Sequence, residues 1–157
     1  MKLLRSLSLI FLITFPIMGC GKTNAPITVH PVSGRIFYAG QPAAGVQVYF
    51  VPTTAPAMPL IPSNPRGVTE ADGRFTLTTF TESDGAAIGL YQVILIWPPA
   101  KKSARSEDDE DRLLGWYGGV HSKFTAEVKE GANTLPPIRL DAVFQPPEQL
   151  QGIPGKN

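Results

Sequence analysis

The sequence predicts an all-β protein, a single seven-stranded Greek-key β-sandwich, and three observations predict it. Val, Ile, Thr, Tyr and Phe gather in short runs, and no long stretch carries apolar residues at helical spacing. The runs are separated by turn residues, with 16 Pro and 15 Gly in the 157 residues, a density that interrupts helices and bounds strands. The spacing from strand to turn is that of a Greek-key sandwich.

The first strand is placed at Val29–Tyr38, followed by a turn at Ala39-Gly40-Gln41-Pro42. The second is Val46–Val51, where Val46, Val48 and Phe50 share one face and Gln47, Tyr49 and Val51 the other, because side chains alternate along a strand. From Pro52 to Pro65 proline recurs, and since proline cannot donate to a ladder this reads as a long loop or a polyproline-like excursion. Residues 67–80 read as a hairpin about Asp72-Gly73, because Gly tolerates positive φ and Asp caps the turn. Leu90–Trp97 (LYQVILIW) is so evenly apolar that a central strand covered on both faces is expected. The run from Ala100 to Arg112 is basic and then acidic, a solvated loop. Strands at Lys123–Val128 and Thr134–Leu140, joined by a turn at Glu130–Asn133, complete the sandwich. Residues 142–157, rich in Pro and Gln, are expected to be a tail without fixed structure.

The N-terminus carries a different signal. Lys2 and Arg5 precede an almost wholly apolar stretch from Leu7 to Met18, which is shorter than the roughly 20 residues of a membrane-spanning helix and matches a signal-peptide core. It ends in Ile17-Met18-Gly19-Cys20, which resembles the lipobox of bacterial lipoproteins. That resemblance implies that residues 1–19 are an export signal, that a diacylglycerol is joined to the Cys20 sulfur, and that cleavage frees the Cys20 amine for a further acyl chain such as palmitate. Residues 20–28 then form a lipidated tether, and the expected location is the cell envelope, with the outer membrane favoured and the domain facing periplasm or surface. The expected partners are the membrane, through the lipid, and an envelope protein or glycan.

Composition excludes several classes of function. Losing Lys2 and Arg5 takes the net charge from +1 to −1, so no basic surplus exists to hold a nucleic-acid backbone. Cys20 is the only cysteine; once acylated it leaves the mature chain without a disulfide, a thiol nucleophile or a thiolate metal ligand. His30 and His121 are the only histidines, and neither has a ligand partner at metal-site spacing. Ser33 and His30 share a strand without a nucleophile elbow, so no catalytic triad is expected. The five consecutive acids Glu107–Asp111 lack the interleaved glycines and carbonyls of a calcium loop. No enzyme activity, metal or cofactor is expected beyond the lipid on Cys20. Trp97, Trp116 and Tyr117 are the candidate ligand-binding residues, as an aromatic platform for a sugar.

The order of segments across residues 29–141 resembles the carboxypeptidase regulatory-like domain of transthyretin-like (prealbumin-like) fold. The residues that carry the resemblance are Val32–Ile36 (VSGRI), Gly40–Val46 (GQPAAGV), Val48–Pro52 (VYFVP), Thr69–Thr78 (TEADGRFTLT), Gly89–Ile94 (GLYQVI), Phe124–Gly131 (FTAEVKEG) and Asn133. In that family the domain is a non-catalytic accessory. The resemblance therefore implies a lipid-anchored, non-enzymatic module for binding or scaffolding, with carbohydrate binding through exposed aromatics as the alternative. Related enzymes of this shape need more than the chain offers. Intradiol dioxygenases need two Tyr and two His around iron, with the histidines close in sequence. Hydroxyisourate hydrolases end in Tyr-Arg-Gly-Ser, whereas this chain ends Gly152-Ile153-Pro154-Gly155-Lys156-Asn157. Self-crosslinking adhesin domains place a Lys in the first strand, where Arg35 stands.

Overall fold

A computed structural model describes residues 27–54, 64–99 and 111–148. The export signal, Cys20 and most of its tether, the heart of the proline-rich loop, residues 100–110 with most of the acidic run, and the end of the tail lie outside the described residues.

The protein is all-β, and its strands form several sheets. The strands are β1 (Val29–His30), β2 (Val32–Tyr38), β3 (Gln41–Pro42), β4 (Gln47–Pro52), β5 (Arg66–Val68), β6 (Arg74–Thr76), β7 (Ala86–Ala87), β8 (Gly89–Ile96), β9 (Thr125–Val128), β10 (Asn133–Thr134) and β11 (Ile138–Leu140). Among the described residues a single 3-10 turn spans Gly119–His121. The described residues thus form eleven strands where seven were expected, four of them two residues long. Chain-breaking residues account for part of the surplus: Pro31 divides β1 from β2, and Pro136-Pro137 divides β10 from β11.

Two sheets matter most. One has the order β5-β4-β8-β9, all antiparallel, with Gln47–Pro52 paired against Ile96–Tyr91 at its centre. The other is built around β2: β10 and β11 run parallel along one edge, and β6 and β3 run antiparallel along the other. A two-stranded ribbon, β1-β7, stands beside them. Val32, Ile36, Phe75, Ile138 and Leu140 from the β2 sheet meet Val48, Phe50, Tyr91, Val93, Leu95 and Val128 from the β4–β8 sheet in one buried cluster. That is the arrangement of a sandwich, with one core between two inner faces.

The alternation expected in the second strand is present: Val46, Val48 and Phe50 are fully buried, while Gln47, Tyr49 and Val51 are only partly so. Three other expectations are corrected. The segment at 67–80 turns at Asp72-Gly73 as predicted, and its two arms meet as a hairpin's should: Arg66 and Thr78 exchange backbone hydrogen bonds and Glu70 N–H donates to Arg74 O. Yet its arms diverge, β5 joining β4 and β6 joining β2, so it links the two sheets. The stretch after Val128 also crosses between sheets, β9 lying against β8 and β10 against β2. Here Asn133 fixes the turn: its Oδ1 accepts from Lys129 N–H and its Nδ2 donates to the carbonyls of Lys129 and Gly131. Finally, β8 is central in its sheet but covered on one face: Tyr91, Val93 and Leu95 are buried, while Leu90 is 55% and Ile96 36% exposed. A continuous apolar run cannot distinguish a strand covered twice from one whose outer face is merely aliphatic.

Gly34 has a packing reason. A Cβ there would stand 2.7 Å from two ring atoms of Phe75, so the missing side chain is the space the Phe75 ring fills. Between β6 and β7 the chain is held by Asp84. Burial works against ionisation of its carboxyl, but the N–H groups of Thr79, Thr81 and Phe80 donate to it and together hold its pKa below the ordinary carboxylate value of 3.8. A carboxylate whose folded pKa is depressed contributes stability above its unfolded pKa, and this is lost as pH falls through the folded value. Acid titration of stability is therefore expected to fall below about pH 4 more steeply in the parent than in Asp84→Asn, measured by urea midpoints across that window.

Candidate functional site

The aromatic residues singled out from the sequence gather where β8 ends. Beyond Gln92 the strand has outrun its neighbour β9, and the chain from 111 to 124 takes over as its edge. Val93 N–H donates to Phe124 O and Leu95 N–H to Tyr117 O, both at 2.9 Å. Ser122, itself buried, donates its hydroxyl to Val93 O. The Gln92 amide reaches out to the carbonyls of Gly119 and Ser122 at 3.0 and 3.1 Å.

Asp111 organises this segment. One carboxylate oxygen accepts from Trp97 N–H at 2.7 Å and Leu113 N–H at 3.0 Å, and the other from Gly115 N–H at 3.0 Å. Three otherwise orphaned backbone donors are thereby satisfied by one side chain, as in a helix cap. The last acid of the 107–111 run is thus a structural group in the turn. No sequence pattern marks it off from the four acids before it.

The three candidate aromatics are not coplanar neighbours on one surface. Trp97 belongs to the interior, 7% exposed, with its indole N–H donating to Ala44 O at 2.8 Å. Its ring meets Tyr38 edge-on at 5.2 Å, and the Arg112 guanidinium lies 3.6 Å from the centre of one of its faces, a cation–π contact that covers it. Tyr117 is partly buried against Phe124, stacked at 5.7 Å. Burial raises the pKa of its phenol, the Asp141 backbone N–H works the other way, and the Asp141 carboxylate and Tyr38 raise it further. Trp116 alone of the three presents its ring to solvent, 39% exposed.

Trp116 also reveals what the C-terminal stretch does. Its indole N–H donates to Gln145 O at 2.6 Å, Val143 N–H donates to the Tyr38 hydroxyl at 3.0 Å, and Pro147 is buried. The first residues of the expected tail, 142–148, therefore lie against the body. Their anchor points are single polar atoms presented by distant strands, which composition does not register. Phe144, between the two anchors, is exposed.

The histidines are apart. His30 accepts a hydrogen bond on Nδ1 from Gly131 N–H at 3.0 Å, tying β1 to the turn after β9. His121 closes the 3-10 turn. Among the described residues no group of three or more His, Cys, Asp or Glu is placed to hold a metal ion, and no helix is long and apolar enough to cross a membrane.

No protein-family model matches the chain, and none of the curated proteins matches it. Among solved structures the chain is similar to a Pseudomonas aeruginosa protein named for a suggested carbohydrate-binding role. The TM-score is 0.38 at 12% identity, covering 73% of this chain and 89% of the other.

Proposed function

We propose that the protein is a bacterial envelope lipoprotein: a carboxypeptidase regulatory-like, transthyretin-like β-sandwich held at the membrane by acyl chains on Cys20, acting by binding or scaffolding and not by catalysis. The observation that carries this reading is the placement of Cys20. It is the only thiol of the chain, it follows a positive and then apolar leader, and it precedes the first strand, which begins at Val29, by nine positions. Two or three acyl chains at about 0.8 kcal/mol per buried CH₂ give stable attachment.

The arrangement of the described polar groups supports a non-catalytic role. The side chains that chemistry would recruit have structural partners: Asp111 and Asp84 hold backbone N–H groups, His30 holds Gly131, and Ser122 holds Val93. Cys20→Ser is expected to abolish incorporation of labelled palmitate into the protein without changing the thermal midpoint of its folded domain. A parent protein already soluble in the envelope would overturn the reading.

A carbohydrate ligand is the second reading, favoured by one observation. Trp116 presents its ring to solvent, 39% exposed, while its indole N–H is fixed on Gln145 O. An exposed, held aromatic face suits the apolar face of a sugar. On this reading Trp116→Ala abolishes binding on a glycan array while Tyr117→Phe retains it; binding that survives Trp116→Ala removes it.

A further inference from the structure

The two sheets present outer faces of different chemistry. In the β4–β8 sheet the outward rows are Val68, Gln47 and Ile96, then Arg66, Tyr49 and Ile94, a mixed surface of three aliphatic and two uncharged polar side chains with one arginine. In the β2 sheet, Ser33, Arg35 and Phe37 alternate with buried Val32, Gly34 and Ile36, so they face outward. Arg74 and Thr76 do the same on β6, and Arg139 on β11. The register sets Arg35 directly opposite Arg74, and Arg139 directly opposite Phe37. Three arginines from three adjacent strands therefore share one face.

Two like charges directly across a strand pair are unfavourable, and the structure meets this with one acid. Asp72 bridges them, accepting from Arg35 Nη2 at 2.9 Å and Arg74 Nε at 3.1 Å. Arg139 has no carboxylate partner among the described residues; its guanidinium lies over the Phe37 ring at 5.1 Å. The acids next in sequence, Glu70 and Asp141, lie outside these strands and make no ion pair with the three arginines. The strands of this face thus carry three arginines met by one bridging aspartate, on a mature chain whose overall charge is −1.

We infer that this basic face, Arg35, Arg74 and Arg139 around Phe37, rests on the anionic phospholipid headgroups of the membrane that holds the domain. Charge complementarity selects the partner: guanidinium groups are planar donors suited to phosphate oxygens, and a surface rich in phosphate attracts basic side chains within a Debye length. The inference rests on the anchoring reading in one respect. The seven residue steps from Cys20 to Ile27 extend to at most roughly 25 Å, so an anchored domain stays close to the headgroups, and contacts too weak to recruit a free protein then fix its orientation. It predicts a domain lying with its β2 sheet toward the lipid and its β4–β8 sheet open to other partners.

The test is an arginine footprint on the full chain, expressed in a bacterium and purified as isolated. The protein is mixed with saturating vesicles of phosphatidylcholine alone or of phosphatidylcholine with phosphatidylglycerol, and modified with phenylglyoxal. Peptide mass spectrometry reads the rate at each arginine. Arg35, Arg74 and Arg139 are expected to react about fivefold or more slowly on the anionic vesicles, with the protection lost at high salt, while Arg66 on the opposite sheet reacts at one rate throughout. In Arg35→Gln/Arg74→Gln the protection of Arg139 should also fall. Equal rates on both vesicles, protection shared by Arg66, or equal protection by soluble inorganic phosphate, which would mark a discrete anion site, overturns the inference. Flotation with pure phosphatidylcholine vesicles reads the Cys20 anchor separately, so a chain that fails to float and still shows the footprint refutes the anchoring alone.

Discussion

Gly85→Ala is expected to leave the protein unfolded, whereas Gly40→Ala leaves it folded. Both glycines sit in the left-handed region, at φ 96° and φ 80°, where an alanine costs about 1–2 kcal/mol for its Cβ. At Gly40 nothing lies within 4 Å of the new atom, so the loss stops there. At Gly85 the Cβ overlaps the His30 carbonyl and stands 2.8 Å from Pro31 Cα. These are backbone atoms, fixed by the β1–β7 pairing of His30 with Ala86. Relief requires parting that ribbon and with it the Gly85 N–H bond to Leu77 O. The combined loss should exceed about 4 kcal/mol, which is exceptional for one substitution and large against the ~5–15 kcal/mol of a whole domain. Denaturant unfolding of the two variants side by side checks it. A Gly85→Ala protein with the midpoint of Gly40→Ala would mean that the ribbon is not held as described.

The second large effect belongs to Phe50. It is fully buried at the middle of β4, its ring tilted at 43° to Tyr91 with centroids 5.5 Å apart. Truncation to alanine removes most of a core side chain shared by both sheets. It should cost about 3–5 kcal/mol, with the spread set by how far the neighbours collapse into the space. Leu90→Ala provides the contrast. Leu90 is as hydrophobic by composition but lies on the outer face of β8, so its loss should stay within about 0.5 kcal/mol. Urea midpoints distinguish the two, and a Leu90 effect as large as that of Phe50 would require a cover on the outer face.

What the sequence made legible follows from local physics. Alternation at Val46–Val48–Phe50 identified an inward face because the period of a strand is set by its own backbone. Asp72-Gly73 identified a turn because φ preference and side-chain capping act within a few residues. What escaped is nonlocal. The Asp-Gly turn cannot say that its two arms belong to different sheets, since β5 and β6 are assigned by β4 and β2. Trp97 was a reasonable candidate for a surface platform; its burial depends on Ala44, Tyr38 and Arg112, which are far from it or follow a long loop. Asp111 was hidden inside a charge run, and its value lies in three backbone donors that only the folded turn presents. The tail at 142–148 offered composition alone, while its docking depends on single atoms of Trp116 and Tyr38. The expectation at Cys20 rests on a short linear motif, and that residue lies outside the described residues.

The central claim is the covalent anchor, and the mass of the N-terminal peptide tests it most directly. Protein taken from the membrane fraction of expressing cells is digested, and the peptide beginning at residue 20 is sought by mass spectrometry. The account predicts Cys20 as the first residue, carrying a diacylglycerol on sulfur, with or without an acyl chain on the amine. A peptide that begins before Cys20, or one that carries Cys20 with a free thiol, would contradict it.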